Sequence, residues 1–219
     1  MRLTFPSLRD IALGPEEVVW TDASALTVEN LRAAYRSGVF PWPGGSDEPI
    51  PWCSPDPRAV LIFSELSLGR TLKKCIKRGG YVCTIDRAFS EVIAACAEAP
   101  RPGQHGTWIS PAVMDAYTQL HRAGMAHSVE VWRDDVLIGG LYGVDAGGVF
   151  CGESMFHRED NASKLAIVFL VRHLQARGLG WLDIQQLTPH MLRLGAREVP
   201  RIRYLAQLER DLAEARRLF

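Results

Sequence analysis

The sequence predicts a mixed α/β or α+β protein built on a sheet, and three observations predict it. From about residue 60 onward, apolar segments of strand length alternate with segments of helical period. Residues 137–185 hold the pattern in its densest form: strand, tight turn, strand, long apolar helix, strand. The composition, 47% hydrophobic and 23% charged, is that of an ordinary soluble globular chain. At 219 residues it suffices for one large domain, or for one domain with a small appendage.

Residues 1–22 read as extended and proline-punctuated. Residues 27–37 form a short amphipathic helix, capped by Thr27, with Leu31, Ala34 and Tyr35 on one side and Gly38 as its stop. Residues 40–57 hold six prolines together with Trp42 and Trp52, and read as a rigid loop that fixes aromatic side chains. Residues 59–63 are a strand. Residues 66–77 are a helix with Leu68, Leu72, Cys75 and Ile76 inward; Arg70, Lys73, Lys74 and Lys77 crowd its other sides, with Arg78 just beyond. A strand at 81–85, a helix at 89–96 and a loop at 100–106 leading to Trp108 follow. The helix at 111–123 starts on a first-turn proline and stops at Gly124. Residues 127–132 alternate polar and apolar, as an exposed-edge or half-buried strand.

Residues 137–144 are an apolar, glycine-rich strand. Asp145, Ala146, Gly147 and Gly148 make the turn, because Asp and Gly tolerate positive φ. Residues 149–156 return, carrying Glu153. Asn161 can cap a helix whose body is 164–177, and Gly178 ends it in a left-handed cap. Residues 181–185 are a buried strand that places Asp183 and Gln185 on one face by the two-residue period. Carboxylates at Glu153 and Asp183 and an amide at Gln185 are costly to bury without partners or a purpose. Pro200 opens a last helix with Leu205, Leu208 and Leu212 on one face.

Several functional classes are disfavoured. Lys+Arg and Asp+Glu balance at 25 each, so a nucleic-acid partner would need a local basic patch. The cysteines, Cys53, Cys75, Cys83, Cys96 and Cys151, are odd in number and irregularly spaced, which argues for reduced thiols in the cytoplasm. No pair has zinc-ligand spacing, so no metal is expected. No apolar run approaches the roughly 20 residues of a membrane helix. Arg9, Asp10, Glu16 and Glu17 speak against a signal peptide. No nucleophile stands out: Ser154 has no histidine at readable distance, there is no G-x-S-x-G elbow, and Cys151 reads as inert core.

Eight strings occur in an order that resembles the leucyl/phenylalanyl-tRNA–protein transferase family: GVFPW (38–42), WCSPDPRAVL (52–61), GTWIS (106–110), HSVEVW (127–132), GESMF (152–156), NASK (161–164), DIQ (183–185) and LGAREVPR (194–201). The glycine-rich segment that members often carry before the first helix is replaced here by VVWTDASALT. The resemblance implies a small N-terminal domain at 1–58 and an acetyltransferase-like (GNAT-type) catalytic domain with a mixed sheet at 59–219. It implies transfer of Leu or Phe, and less readily Met, from its tRNA to the N-terminal Arg or Lys of a protein, marking that protein for degradation. It implies no cofactor.

Within that frame, Asp183 and Gln185 are candidates to orient an incoming amine and help it lose a proton; the bland alternative is a buried Asp bonded to backbone or to an arginine. Glu153 is a candidate to meet the cationic acceptor, or else a structural partner of Lys164 or Arg158. Trp42 and Trp108 are candidates for stacking on the tRNA 3′ adenine, or for packing, as Trp52 and Tyr117 are. Leu141, Met155, Ile167, Leu170 and Leu182 are candidate substrate-binding residues, with Leu141, Met155, Ile167 and Leu182 forming a pocket for the Leu or Phe side chain, or are core. Arg70, Lys73, Lys74, Lys77 and Arg78 are candidates for tRNA phosphate contact, or a solvated face. The rivals are a CoA-dependent N-acetyltransferase and a non-catalytic tRNA- or peptide-binding module. Gln175 to Gly180 matches an acetyltransferase-like phosphate loop, but it lies at a helix C-terminus, where the dipole repels phosphate.

Overall fold

The computed structural model describes residues 1–44, 48–100 and 107–219. The loop expected at 100–106 therefore lies almost wholly outside the described residues. In chain order the elements are α1 (Leu8–Leu13), β1 (Glu17–Thr21), α2 (Val28–Arg36), β2 (Phe40–Pro41), β3 (Ile50–Cys53), β4 (Arg58–Ile62), α3 (Arg70–Arg78), β5 (Val82–Ile85), α4 (Phe89–Glu98) and α5 (Pro111–Arg122). They continue with β6 (Ala126–Arg133), β7 (Val136–Asp145), β8 (Phe150–His157), α6 (Ala162–Gln175), β9 (Trp181–Gln185), α7 (Pro189–Arg193), β10 (Arg197–Val199) and α8 (Arg201–Ala213). Single 3-10 turns stand at Ala23–Ala25 and Phe63–Glu65.

The small N-terminal part carries an antiparallel sheet of order β1-β3-β2. It corrects two expectations. Residues 1–22 hold a helix and a strand, and the proline-rich stretch 40–57 holds two strands. Pro51 sits in the central strand, where a proline is normally excluded for want of an N–H. Its carbonyl still accepts from the Trp42 N–H at 2.8 Å, and buried Ile50 and Trp52 flank it. Trp52 is fully buried, donates its indole N–H to Thr21 Oγ1 and packs against Phe5.

The larger part is a seven-stranded sheet of order β10-β4-β9-β8-β7-β6-β5. Every neighbouring pair is antiparallel except β8 and β9, which run parallel and are joined through α6. The mixed sheet expected from the alternating pattern is thus present. α6 buries nine of its fourteen residues, as a crossover helix packed on a sheet does. Asn161 occupies its N-cap in a left-handed conformation without a side-chain cap bond, and Gly178 has the expected positive φ of 82° just beyond its end. α3 starts at Arg70, four residues later than its apolar spacing predicts, because Gly69 stands at its N-cap.

One hydrophobic cluster runs through residues of both sheets. The buried Arg201 ties the two parts further: its guanidinium donates to the carbonyls of Gly14, Pro15 and Ser54. The boundary expected at residue 58 falls at the first residue of β4.

Candidate active site

The parallel strands β8 and β9 share one register pair, Cys151 with Asp183. Beyond it the two strands share no further register pair, and the polar side chains gather at that split. Both strands are irregular there. On β8, Ser154 lies opposite Tyr142 and Gly152 opposite Gly143, so Glu153 is the extra residue of a β-bulge. A bulge re-aims a side chain, and the Glu153 carboxyl meets the phenol of Tyr117. Gly143 permits the bulge: a Cβ there would stand 2.3 Å from the Cys151 carbonyl oxygen and 2.6 Å from the Phe150 ring. On β9, Gln185 lies opposite Ala59 and Asp183 opposite Val60, which leaves Ile184 as the extra residue. Gln185 takes a left-handed φ of 55°, unusual outside glycine. The plain two-residue alternation expected between Asp183 and Gln185 is therefore interrupted.

Asp183 is fully buried and saturated with donors. Oδ1 accepts from Arg58 Nε at 2.9 Å and from the Gln185 backbone N–H at 3.0 Å. Oδ2 accepts from Arg58 Nη2 at 2.7 Å and from the Tyr204 hydroxyl at 3.0 Å. Arg58, 1% exposed, also donates to the Gly38 carbonyl and lies over the rings of Phe40 and Tyr204 at 4.8 and 4.4 Å. Burial alone would raise the Asp183 carboxyl; the bidentate guanidinium outweighs it, and the net shift is downward. Asp183 is thereby favoured as the ion.

Glu153 is held differently. Oε1 accepts from the Gln185 side-chain amide at 2.8 Å, and Oε2 from the Tyr117 hydroxyl at 3.4 Å. Burial pushes this carboxyl up to about 7, against hydrogen bonds from the phenols and the more distant Arg58 charge. Two acids on adjacent strands thus have their affinities for a proton driven apart, one kept charged and one poised near neutrality, the pattern of an acid–base site. Burial also pushes the Cys151 thiol well above its ordinary value, so it is no nucleophile. Among the described residues no group of His, Cys, Asp and Glu side chains could hold a metal ion.

The structure brings Glu153, Asp183 and Gln185 together. Glu153 does not pair with Lys164 or Arg158: the first donates to Asn161 Oδ1 and the second to the Leu137 carbonyl. Leu141, Ile167, Leu170 and Leu182 are buried in the core cluster; Met155, opposite Leu141 across the strands, is partly exposed. Trp42 and Trp108 are partly exposed and pack on the same cluster. Arg70, Lys73, Lys74, Lys77 and Arg78 are all exposed on α3. Lys74 and Arg78 line a cleft of about 290 Å³ with Arg133, Glu159, Asp160 and Asn161. A second cleft, of about 500 Å³, is lined by His127, Asp145, Arg216, Arg217 and Phe219. Neither is lined by Glu153, Asp183 or Gln185.

Arg58, Tyr204 and Tyr35 were not among the candidates, and Tyr117 was one only for stacking. Arg58 had a readable signal: an arginine at the head of the apolar run AVLIF must find a carboxylate if it is buried. The tyrosines had none.

Comparison with known proteins bears on this site. The model of the family described as leucyl/phenylalanyl-tRNA protein transferase matches residues 60–209, and the model of that family's N-terminal domain matches residues 24–56. Curated proteins named leucyl/phenylalanyl-tRNA–protein transferase are similar over most of their length. The protein from Oleidesulfovibrio alaskensis is 53% identical over 192 residues, 85% of this chain and 77% of its own. That from Anaeromyxobacter sp. (strain K) is 46% identical over 209 residues, 95% of this chain and 89% of its own. That from Pectobacterium atrosepticum is 50% identical over 185 residues, 84% of this chain and 76% of its own. Two matched models in chain order and relatives near half identity, laid over a site with paired acids and an amide, mean that the chain belongs to the leucyl/phenylalanyl-tRNA–protein transferase family.

Proposed function

We propose that the protein carries a leucyl group, and also phenylalanyl and less readily methionyl, from aminoacyl-tRNA to the α-amine of an N-terminal Arg or Lys, a mark for degradation. The observation that carries this reading is the Glu153–Gln185 pair across the split between β8 and β9, backed by an Asp183 that cannot move.

An aminoacyl ester is already activated, so an amine can attack it directly. The acceptor amine has an ordinary pKa of about 7.7–8.0, and a minority is neutral near pH 7. Gln185 orients the amine toward the ester carbonyl, and Glu153 takes the ammonium proton. The C–N bond forms, the C–O bond to the ribose breaks, the departing ribose oxygen takes the second proton of the attacking nitrogen, and Glu153 releases the first to solvent. Asp183, with four donors and a depressed pKa, is a poor acceptor; in this reading it holds the Gln185 backbone, and the proton-accepting role expected of it moves to Glu153. Positioning supplies most of the acceleration, since effective molarities are large. The single parallel junction in the sheet is compatible with the GNAT-type architecture expected from the resemblance.

The test is transfer of labelled Leu from Leu-tRNA to a peptide beginning with Arg, beside one beginning with Ser, with labelled acetyl-CoA as a second donor. Leu transfer to the Arg peptide alone supports the reading. Acetyl transfer would favour the acetyltransferase; binding without transfer, the non-catalytic module.

In the same reading Leu141, Met155, Ile167 and Leu182 receive the donor side chain and Trp42 and Trp108 its adenine. Pockets discriminate aliphatic side chains by only about 1–3 kcal/mol per methylene. Ile167→Ala should therefore favour Phe over Leu in a competition assay, and an unchanged ranking in the folded variant would count against this pocket.

The five cations of α3 neutralise tRNA phosphates without reading bases. Lys73→Glu with Lys77→Glu should weaken aminoacyl-tRNA binding and flatten its salt dependence, because each lost contact removes released counterions. Transfer from a short aminoacyl-adenosine should hardly change. Equal loss with both donors would remove α3 from the tRNA interface.

A further inference from the structure

We propose that Tyr35 and Tyr117 are positioning residues for this reaction: a hydrogen-bonded pair of phenols beneath the split that donates to Glu153 and holds it as a carboxylate facing Gln185. The inference rests on the reading of Glu153 as proton acceptor, and it is drawn from the geometry of donors.

Both tyrosines are buried, Tyr35 on α2 and Tyr117 on α5, and their hydroxyl oxygens are 2.5 Å apart. Tyr117 reaches Glu153 Oε2 at 3.4 Å. Each phenol has one proton to give, and the acceptors described for this pair are the other phenol's oxygen and the Glu153 carboxylate. If Tyr117 donates to Glu153 and Tyr35 to Tyr117, every donor is satisfied. If the chain is reversed, with Glu153 protonated and donating inward, a buried hydroxyl proton loses its acceptor, at a typical cost of about 1–3 kcal/mol. Direction is therefore built into the pair: it favours the anion. Both phenols are themselves held far above their ordinary pKa, first by burial and also by the Glu153 charge, so neither gives up its proton outright.

The other groups around Glu153 do not substitute for the phenols. Asp183 on β9 repels a second negative charge, and Arg58 on β4, which attracts one, is already bound to Asp183. Cys151 on β8 keeps its proton. Gln185 donates to Oε1 and must be able to turn toward substrate. Without the phenols, desolvation and Asp183 would leave Glu153 protonated at pH 7 and unable to accept.

The experiment follows Glu153 directly. Infrared difference spectra taken against pH report the protonated carboxyl, and the Glu153→Gln protein assigns the band. In Tyr117→Phe and in Tyr35→Phe alike the midpoint should rise by about one pH unit above the wild-type value, because each phenol bonds the carboxylate. Transfer at pH 6.5 should fall about tenfold in Tyr117→Phe and return to within about twofold of wild type at pH 9. A midpoint that does not move in either variant, or a loss of transfer equal at all pH values, overturns the inference and leaves packing as the role of the tyrosines. A midpoint that moves while the transfer profile stays put supports the action of the phenols on Glu153 and overturns Glu153 as the proton acceptor.

Discussion

Replacing Arg58 with methionine should lower the free energy of unfolding by about 3–5 kcal/mol, the usual cost of stranding one charge of a buried pair. Asp183 would keep the Tyr204 hydroxyl and the Gln185 N–H but no counter-charge, at 0% exposure. Urea unfolding at pH 7 measures the loss. The double variant Arg58→Met/Asp183→Leu should regain most of it, because replacing both members of a buried pair is often nearly neutral. It should nevertheless stay inactive, since the left-handed Gln185 then loses the acceptor of its backbone N–H. A loss below about 1 kcal/mol for Arg58→Met, or full transfer by the double variant, would mean that the clamp does not hold the site. The pH dependence has a definite sign. Asp183 is depressed below its unfolded value near 3.8, so its stabilisation is complete above that pH and is lost only as pH falls through the lower folded value.

Glu153→Gln should cut kcat by about 10²–10³, within the range of general-base contributions, and should change the shape of the pH profile. Wild-type transfer should rise as pH climbs through about 7, where Glu153 ionises. In the variant only the acceptor's own ionisation, near 8, remains. Stability moves the other way. The folded carboxyl sits above its unfolded value of 4.5, so the stabilisation it supplies is present below pH 4.5 and lost as pH rises through about 7. Glutamine escapes that loss. The variant should be more stable than wild type by about 1–3 kcal/mol at pH 8 and near parity at pH 4.5. Wild-type transfer by the variant would sink the mechanism; reduced transfer with an unchanged inflection near 7 would assign that inflection to another group.

Much of the sheet could be read from periodicity, because its strands and helices bury one face or all of themselves. The turn at 145–148, the apolar α6 with Gly178 after it and the buried strand 181–185 all carry local chemistry strong enough to read. The N-terminal sheet could not be read in this way. Six prolines in residues 40–57 imitate a loop, and only the pairing of Ile50–Cys53 with β1 and β2 reveals strands. The three polar residues at the split were legible as anomalies in apolar surroundings. What holds them was not. Arg58 lies 125 residues before Asp183, and no spacing rule connects them. The two bulges were hidden as well, since a period-2 pattern gives no sign of the one extra residue that turns Glu153 toward the phenols.

The split between β8 and β9 gives the sheet an edge in its interior. An outer edge is open along its whole length and can recruit any extended chain that comes alongside it. Here the strands are paired at Cys151 and Asp183, and the unpaired stretch is confined to the residues beyond that pair. On β9 only Ile184 and Gln185 lie beyond that pair, a stretch too short to template another strand.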